Sequence, residues 1–215
     1  MKHALIIGSS KGIGKAIKKR LSELEVKIIA PTSDEFDTSN VDTVKKYIKN
    51  LKSIDYLVLN TGGPPAKNFF SITENDWNKY HKQLFLSFVL MMQKIKIKHN
   101  GFIFLISSHT IKAPEDNLVL SNSYRVAISS VFKTLSKRYS KKNITCINIA
   151  PGPIKTQRLK KLVGNISNFE KNLPLGRAGK PDEIGLFVKE IIKNNIKYLN
   201  GVILNFDGGL SKSLF

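Results

Sequence analysis

The sequence predicts an α/β fold, a doubly wound parallel sheet with helices on both faces. Short apolar runs alternate with amphipathic segments along the whole chain, and most of these runs are continuously apolar. Such runs are typical of strands buried on both faces of a parallel sheet. Regular alternation with helices then implies right-handed crossovers. No repeat or long polar linker divides the chain, so we expect one domain over residues 1–215.

The expected elements follow one another at regular intervals. The predicted strands are residues 4–7, 26–30, 56–59, 102–107, 145–149 and 202–206. The predicted helices are residues 12–24, 41–51, 74–97, 121–140 and 181–194. Residues 31–36 are too few for a crossover helix, so we expect a brief further strand around Phe36 after only a turn. Residues 157–173 form an insertion that we expect to act as a flap over the site.

Composition limits the classes of function. The chain has 35 Lys and Arg against 16 Asp and Glu, a formal charge of +19. The cations are mostly lysines on several helical segments, so we favour solvated helix faces, then attraction of a phosphorylated cofactor or an anionic substrate, and nucleic-acid binding last. The single cysteine, Cys146, excludes an internal disulfide and predicts a buried thiol. Without a signal-peptide core or a membrane-spanning run, we expect a cytoplasmic protein with no membrane partner.

A glycine-rich turn follows the first predicted strand. Glycine allows a tight turn and a close approach of the backbone to a ligand, and the free N–H groups of the next helix bind a pyrophosphate. Because the turn stands between a strand and a helix, it predicts a Rossmann-like dinucleotide site. The expected cofactor-binding residues of the turn are Gly8, Ser9, Ser10, Lys11, Gly12, Ile13 and Gly14.

The glycine spacing resembles that of the short-chain dehydrogenase/reductase family, and further segments resemble that family in the expected order. They are Asp37-Thr38, Leu-Asn-Thr-Gly-Gly at 59–63, Trp77, Ile-Ala-Pro-Gly-Pro-Ile-Lys-Thr at 149–156, and residues 174–184 and 205–209. The resemblance implies a nicotinamide cofactor and oxidoreductase chemistry on a carbonyl or secondary alcohol of a small molecule. It also implies cofactor contacts from Asp37, Thr38, Asn60, Thr61, Gly62, Pro151, Gly152 and Ile154.

The resemblance also implies an assembly. Residues 84–92 are apolar nearly all round a helix, more than one sheet-facing side requires, and residues 126–135 are similar. Relatives pair these two helices across an interface, so we expect a homodimer or homotetramer.

The end of the second predicted strand bears on the choice of cofactor. A carboxylate there would bind the ribose diol and exclude a 2′-phosphate. The chain instead has Thr32 and Ser33, while Lys11 in the turn can neutralise a 2′-phosphate. We therefore favour NADP(H) over NAD(H), although Asp34 or Glu35 would reverse that preference if its side chain reached the ribose.

The catalytic positions depart from the family pattern of Ser, Tyr and Lys with an Asn on the preceding helix. Ser108 matches the serine, but Ser121 stands at the tyrosine position, Arg125 at the lysine position and Leu84 at the asparagine position. Arg125 is expected to bind the cofactor ribose, and it stays charged at any useful pH, so it cannot relay a proton. The usual proton route is therefore lost.

Two nearby side chains are alternative proton donors. Tyr124 follows Ser121 by three residues, although packing against a neighbouring helix is its preferred role. His109 titrates in the right range, although a position on a loop surface is preferred for it. This set, with Asn-Thr-Gly-Gly-Pro-Pro at 60–65, resembles a divergent branch similar to ketoacyl reductases.

Three hypotheses follow. The first is an NADP(H)-linked oxidoreductase with Ser108, Ser121, Tyr124 and Arg125 as its catalytic candidates. The second is a dinucleotide-binding sensor or assembly subunit that has lost turnover. The third, a basic nucleic-acid binder, rests on charge alone.

Overall fold

A computed structural model describes residues 1–214 and contains one sheet of six parallel strands in the order β2-β1-β3-β4-β5-β6. The strands are β1 (Lys2–Ile6), β2 (Val26–Ile29), β3 (Ile54–Leu59), β4 (Ile97–Ile106), β5 (Thr145–Pro151) and β6 (Val202–Phe206). The order reverses between β1 and β3, the neighbours at the centre of a doubly wound sheet. The predicted fold class is confirmed.

Helices cover both faces of this sheet. They are α1 (Gly12–Leu21), α2 (Val41–Lys49), α3 (Glu74–His81), α4 (Ser87–Lys94), α5 (Val119–Ser140), α6 (Gln157–Val163), α7 (Ile166–Glu170) and α8 (Pro181–Lys193). On one face, α2, α4 and α5 bury residues such as Val44, Phe88 and Phe132. On the other, α1 and α8 bury residues such as Ile17 and Val188. The sheet is therefore apolar on both faces, as its uninterrupted hydrophobic strands require.

The expected strand around Phe36 does not form. The backbone turns instead, with the Phe36 N–H donating to the Thr32 carbonyl oxygen at 3.0 Å. The Phe36 side chain is buried against Tyr47 of α2, with ring centroids 5.1 Å apart. Phe36 is therefore apolar because it packs against α2, and not because it lies in a strand.

The predicted helix 74–97 is both interrupted and too long. A π-helical turn at Lys82–Leu86 separates α3 from α4, and α4 ends at Lys94. Ile95 is already extended, and Ile97 pairs with Ile54 of β3. Pairing with the sheet therefore takes over the last residues of the predicted helix.

Two short helices, α6 and α7, occupy most of the expected flap at 157–173. Thr156 caps α6 by accepting a hydrogen bond from the Leu159 N–H at 3.3 Å, and Leu159 is buried. Glu170 at the end of α7 pairs with Lys155 at 2.9 Å and accepts from the Ala178 N–H at 2.7 Å. The segment is thus tied to the loop before it, and its movement as a flap stays a prediction.

Two predictions from composition concern the core and the membrane. Cys146 is fully buried, and burial raises the pKa of its thiol to about 12, so it is inert packing as expected. None of the helices within residues 1–214 combines the length and the apolar character needed to cross a membrane.

Candidate active site

Two adjoining cavities open at the carboxyl edge of the sheet. The larger, about 1100 Å³, lies over the ends of β1, β2 and β3, and the smaller, about 460 Å³, lies over the ends of β4 and β5. Ile13, Asn60 and Thr61 line both. Ligands of open α/β sheets bind at this edge, where the strand order reverses. The two cavities therefore form one continuous candidate site.

The glycine turn forms one wall of the larger cavity. Gly8 and Gly12 have φ angles of +65° and +56°, which favour glycine. A Cβ on Gly14 would lie 2.1 Å from the Gly8 carbonyl oxygen and 2.8 Å from Asn60 Nδ2. Asn60 Nδ2 also donates to the Gly8 oxygen at 3.1 Å, which ties the turn to the end of β3. No side chain caps α1, so its first N–H groups are available to a pyrophosphate.

The larger cavity brings together most of the predicted cofactor-binding residues. Those that line it are Gly8, Ser9, Ser10, Lys11, Gly12, Ile13, Asp37, Thr38, Asn60, Thr61 and Gly62. Thr38 Oγ1 lies 2.9 Å from Thr61 Oγ1, and the Thr38 carbonyl oxygen accepts from Ser87 Oγ at 2.7 Å. Of the remaining predictions, Pro151, Gly152, Ile154 and Arg125 line the smaller cavity, and Gly14 is buried at the start of α1 and lines neither.

The lining of the larger cavity is strongly basic. Its charged residues are Lys11, Lys155, Arg158, Lys160, Lys161 and a single acid, Asp37. Lys155 lies just before α6, and Arg158, Lys160 and Lys161 lie within it; none of the four was predicted as a site residue. Size, glycine turn and charge together fit a dinucleotide with its phosphates.

Ser108 and Ser121 both line the smaller cavity, and the hydroxyl oxygen of each accepts a hydrogen bond from the protein. Ser108 Oγ accepts from the Thr110 N–H at 3.3 Å and from Thr110 Oγ1 at 3.1 Å. Ser121 Oγ accepts from Arg125 Nε at 3.2 Å. Each hydroxyl is thus held as an acceptor by the protein, which leaves its own hydrogen to donate to a ligand.

Arg125 is the buried cation of the smaller cavity, with 8% of its surface exposed. Its Nη1 donates to the carbonyl oxygens of Ile106 and Ser107 at 2.9 and 3.0 Å, at the end of β4. Burial, and then the charge of Arg158, lower the pKa of Arg125 to about 10. It stays protonated at neutral pH, so it acts as a fixed charge rather than a relay.

Tyr124 is the one predicted catalytic residue that lies outside both cavities. Its hydroxyl donates to the Trp77 carbonyl oxygen at 3.0 Å, and its ring packs against Trp77 at 5.7 Å. Burial raises the pKa of this phenol, which makes it a poorer acid. The structure places Tyr124 in the contact between α3 and α5, the role preferred for it, and not at the reacting centre.

His109 is not on a loop surface, so that expectation was wrong. Its side chain is 12% exposed and lines the smaller cavity. Nδ1 lies 3.2 Å from the Pro151 carbonyl oxygen and Nε2 lies 3.0 Å from Glu115 Oε1. Burial opposes the charged ring, but the hydrogen bond and charge of Glu115 and the Pro151 carbonyl outweigh it, so the pKa of His109 is raised. Two acceptors on two ring nitrogens favour the imidazolium.

Leu84 occupies the position of the family asparagine, inside the π-helical turn. Its side chain is 1% exposed and packs with Tyr80 and Leu120 in a small apolar cluster. A buried apolar side chain offers no polar atom to a proton relay. That the usual proton route is lost stays a prediction.

Comparisons with known proteins agree on one family. A family model described as enoyl-(acyl carrier protein) reductase matches residues 19–211. A 3-oxoacyl-[acyl-carrier-protein] reductase from Chlamydia trachomatis is 27% identical, over 98% of this chain and 97% of that protein. A short-chain dehydrogenase family protein from Francisella tularensis superposes with a TM-score of 0.88 at 22% identity, covering 99% of this chain and 100% of that one.

A second solved structure shows the same fold with a ligand. A short-chain dehydrogenase from Burkholderia cenocepacia, in complex with NADP, superposes with a TM-score of 0.88 at 20% identity over 97% of both chains. The sequence motifs, the sheet order and the basic cavity beside the glycine turn agree with these matches. The chain therefore belongs to the short-chain dehydrogenase/reductase family of oxidoreductases, whose members bind a nicotinamide dinucleotide.

Proposed function

We propose that the protein is an NADP(H)-dependent oxidoreductase that interconverts a carbonyl and a secondary alcohol with an altered set of catalytic residues. One observation carries the proposal. Ser108 and Ser121 line the same cavity, and each has its hydroxyl oxygen occupied by a protein donor. Both hydroxyl hydrogens are therefore available for one substrate oxygen.

The two serines and Arg125 stabilise the charge that develops on that oxygen. The bound cofactor supplies or accepts the hydride. During reduction, the carbonyl oxygen becomes negative while Ser108 and Ser121 donate to it, and Arg125 adds a positive charge beside Ser121. Preorganised donors of this kind each contribute about 10²-fold or more to the rate.

His109 supplies the proton that the substrate oxygen gains, once its Nδ1–H exchanges the Pro151 carbonyl oxygen for the substrate oxygen. It lines the same cavity and follows Ser108 directly, and its raised pKa favours the protonated ring. Glu115, whose side chain is 52% exposed, connects it to solvent and restores the proton. In the oxidation direction the same path carries the proton outward.

The end of β2 supports the preference for NADP(H). Thr32 and Ser33 line the larger cavity there together with Lys11. The Glu35 carboxylate turns back to accept from the Thr32 N–H and Oγ1 at 2.9 and 3.1 Å, and Asp34 is not part of the cavity wall. Neither acid is placed to exclude a 2′-phosphate.

The alternative is a dinucleotide-binding sensor or assembly subunit without turnover. The apolar burial of Leu84 and the fixed charge of Arg125 favour it, because neither can take part in the family's proton relay. In both cases we propose a cytoplasmic homodimer or homotetramer that joins through α4 and α5, where Val126 is 45% exposed. Light scattering at several protein concentrations measures that assembly.

NADPH oxidation over a panel of ketones and aldehydes tests the proposal. Ser108→Ala should lower kcat about 100-fold, because it removes a donor to the developing charge. NADPH binding, followed by fluorescence, should not change. Ser123→Ala, at an exposed position of α5, is the matched control. Saturable NADPH binding with no turnover over the whole panel would favour the sensor, and an unchanged kcat in Ser108→Ala would refute the role of that serine.

A further inference from the structure

Two guanidinium groups, those of Arg125 and Arg158, line the smaller cavity without a carboxylate partner among residues 1–214. The hydrogen bonds of Arg125 go only to the neutral oxygens of Ser121, Ile106 and Ser107, and none of them uses Nη2. Arg158 donates from Nη1 to the Gly63 carbonyl oxygen at 2.8 Å. Both groups thus keep N–H donors for a ligand.

This arrangement is electrostatically costly without an anion. Arg125 is buried and Arg158 is half-buried, and burial lowers the pKa of both; the charge of Arg158 lowers the pKa of Arg125 further. Buried charges in proteins are normally paired, because desolvation of a lone charge costs several kcal/mol. An anion between the two guanidinium groups would relieve both costs.

The position of Arg158 is fixed by the glycine loop that follows β3. A Cβ on Gly63 would lie 2.7 Å from Arg158 Nη2 and 2.8 Å from its Cζ. The guanidinium therefore packs directly on the Gly63 backbone, in space that only a residue without a side chain leaves. Thr156, which caps α6, fixes the start of the helix that carries Arg158.

The acids around the smaller cavity do not neutralise these cations. Glu115 is the acid in its lining, and its Oε1 is bonded to His109. Asp207, whose charge reaches His109, accepts from the N–H groups of Gly209 and Ser211 at 3.0 Å each. The cavity therefore has a net positive charge.

The phosphates of the cofactor are not the expected anion at Arg125. The glycine turn that receives them follows β1, whereas Arg125 is anchored to the end of β4, two strands away in the sheet. Two strand spacings amount to about 10 Å. The anion at this distance must come from another ligand in the same cleft.

We propose that Arg125 and Arg158 bind a carboxylate of the substrate. The substrates are then 2-oxo or 3-oxo acids and the corresponding hydroxy acids. This rests on the proposed function. Ser121, a donor to the reacting oxygen, is itself bonded to Arg125, which keeps carbonyl and carboxylate close together. The rest of the substrate would meet an apolar wall of Leu159, Leu162, Val163, Phe169 and Leu173. Arg158 keeps Nε and Nη2 as a planar fork that matches the two oxygens of a carboxylate, and Arg125 adds its Nη2.

Calorimetric titration with hexanoate and with hexanamide, on protein saturated with NADP⁺, tests the proposal without turnover. The two probes have the same shape and differ in charge. We expect hexanoate to bind at least tenfold more tightly, and Arg158→Gln to abolish that difference. NADP⁺ is kept saturating for every variant, because Arg158 also lines the larger cavity. Arg138→Gln, at an exposed position near the end of α5, is the matched control and should keep the difference.

Gly63→Ala provides a second variant that retains every charge. Its Cβ displaces the Arg158 guanidinium, so it should reduce the hexanoate preference as Arg158→Gln does, and thermal unfolding of both variants checks that they fold. Equal binding of the two probes to the wild type, or no binding of either, would overturn the proposal. So would a variant that loses NADP⁺ and keeps the hexanoate preference, because Arg158 would then serve the cofactor.

Failure of this proposal is distinguishable from failure of the proposed function. A hexanoate preference in a protein that reduces nothing would leave the carboxylate site standing and refute turnover. Where turnover is found, 2-oxohexanoate should exceed 2-hexanone in kcat/KM at least tenfold, and Arg158→Gln should remove that advantage. An equal kcat/KM for the two ketones would contradict the carboxylate site alone.

Discussion

The glycine turn after β1 and the cleft at the ends of β4 and β5 belong to one candidate site. The turn depends on the backbone, whereas the cleft depends on side chains. In the turn, Gly14 is needed because a side chain would collide with the Gly8 carbonyl. In the cleft, the resemblance to the family implies that two side chains, Ser121 and Arg125, differ from its usual residues. Arg125 nevertheless keeps an ordered place, bonded to Ser121 and to the end of β4. Under the proposed function, the family scaffold keeps its cofactor cavity while the groups that handle the proton differ.

Gly14→Ala is the strongest test of the backbone side of this comparison. The added Cβ would lie 2.1 Å from the Gly8 oxygen, so the turn must shift. We expect the affinity for NADPH, measured by fluorescence titration, to fall more than about 100-fold, the effect of about 3 kcal/mol of overpacking. Alanine is otherwise the better helix former, so a helix effect alone would be favourable.

Lys15→Ala is the control for that variant, since Lys15 is an exposed neighbour on α1. It should bind NADPH as the wild type does. Normal binding by a folded Gly14→Ala variant would show that the turn does not hold the phosphates, and the cofactor assignment would fail with it.

The sequence predicted the turn and the strands well because both are local signals. Six apolar runs became the six strands, and three glycines at fixed spacing specified a conformation within seven residues. The carboxyl end of the helix predicted at 74–97 was wrong because sheet pairing between Ile97 and Ile54 outweighed its helical pattern. Local propensity cannot weigh such a contact.

Arg158, which the sequence did not single out, and His109, for which a surface position was wrongly preferred, owe their places to contacts distant in sequence. Arg158 is held by Gly63, 95 residues away, and His109 by Pro151, 42 residues away. The position of Arg158 just after the Pro-Gly loop was the one signal available for it. Their partners became visible only when the chain was folded, whereas Ser108, Ser121 and Arg125 were predicted from the resemblance to the family's motif.

His109→Gln tests the side-chain half of the comparison. The raised pKa of His109 means that carbonyl reduction in the wild type should fall as the pH rises through that pKa. The variant should lose about 30-fold in kcat at pH 6, less than a general acid usually contributes because water can substitute, and its profile should be flat in this range. A profile that keeps the wild-type inflection would place the acid elsewhere.

Stability should respond in the same pH range. A folded-state pKa above the ordinary value of 6.5 contributes free energy of folding that is fully present below the unfolded pKa and lost as the pH rises through the folded pKa. The melting temperature should therefore change less steeply with pH in His109→Gln than in the wild type. Glu115→Gln removes the charge that raises the pKa, so the kcat inflection should move to lower pH in that variant.

Lys11→Ala tests whether a side chain of the glycine turn sets the preference for NADPH over NADH. Its effect should be the smallest of those predicted. Lys11 is exposed and lines the larger cavity beside Thr32 and Ser33. Loss of its charge should reduce the preference for NADPH over NADH about fivefold, in the range of an exposed ion pair, and the effect should shrink with added salt. Lys18→Ala, exposed on α1, is the control. Because NADH lacks only the 2′-phosphate, an equal loss for both cofactors would assign Lys11 to the shared pyrophosphate, and the preference would then have to come from Thr32 and Ser33.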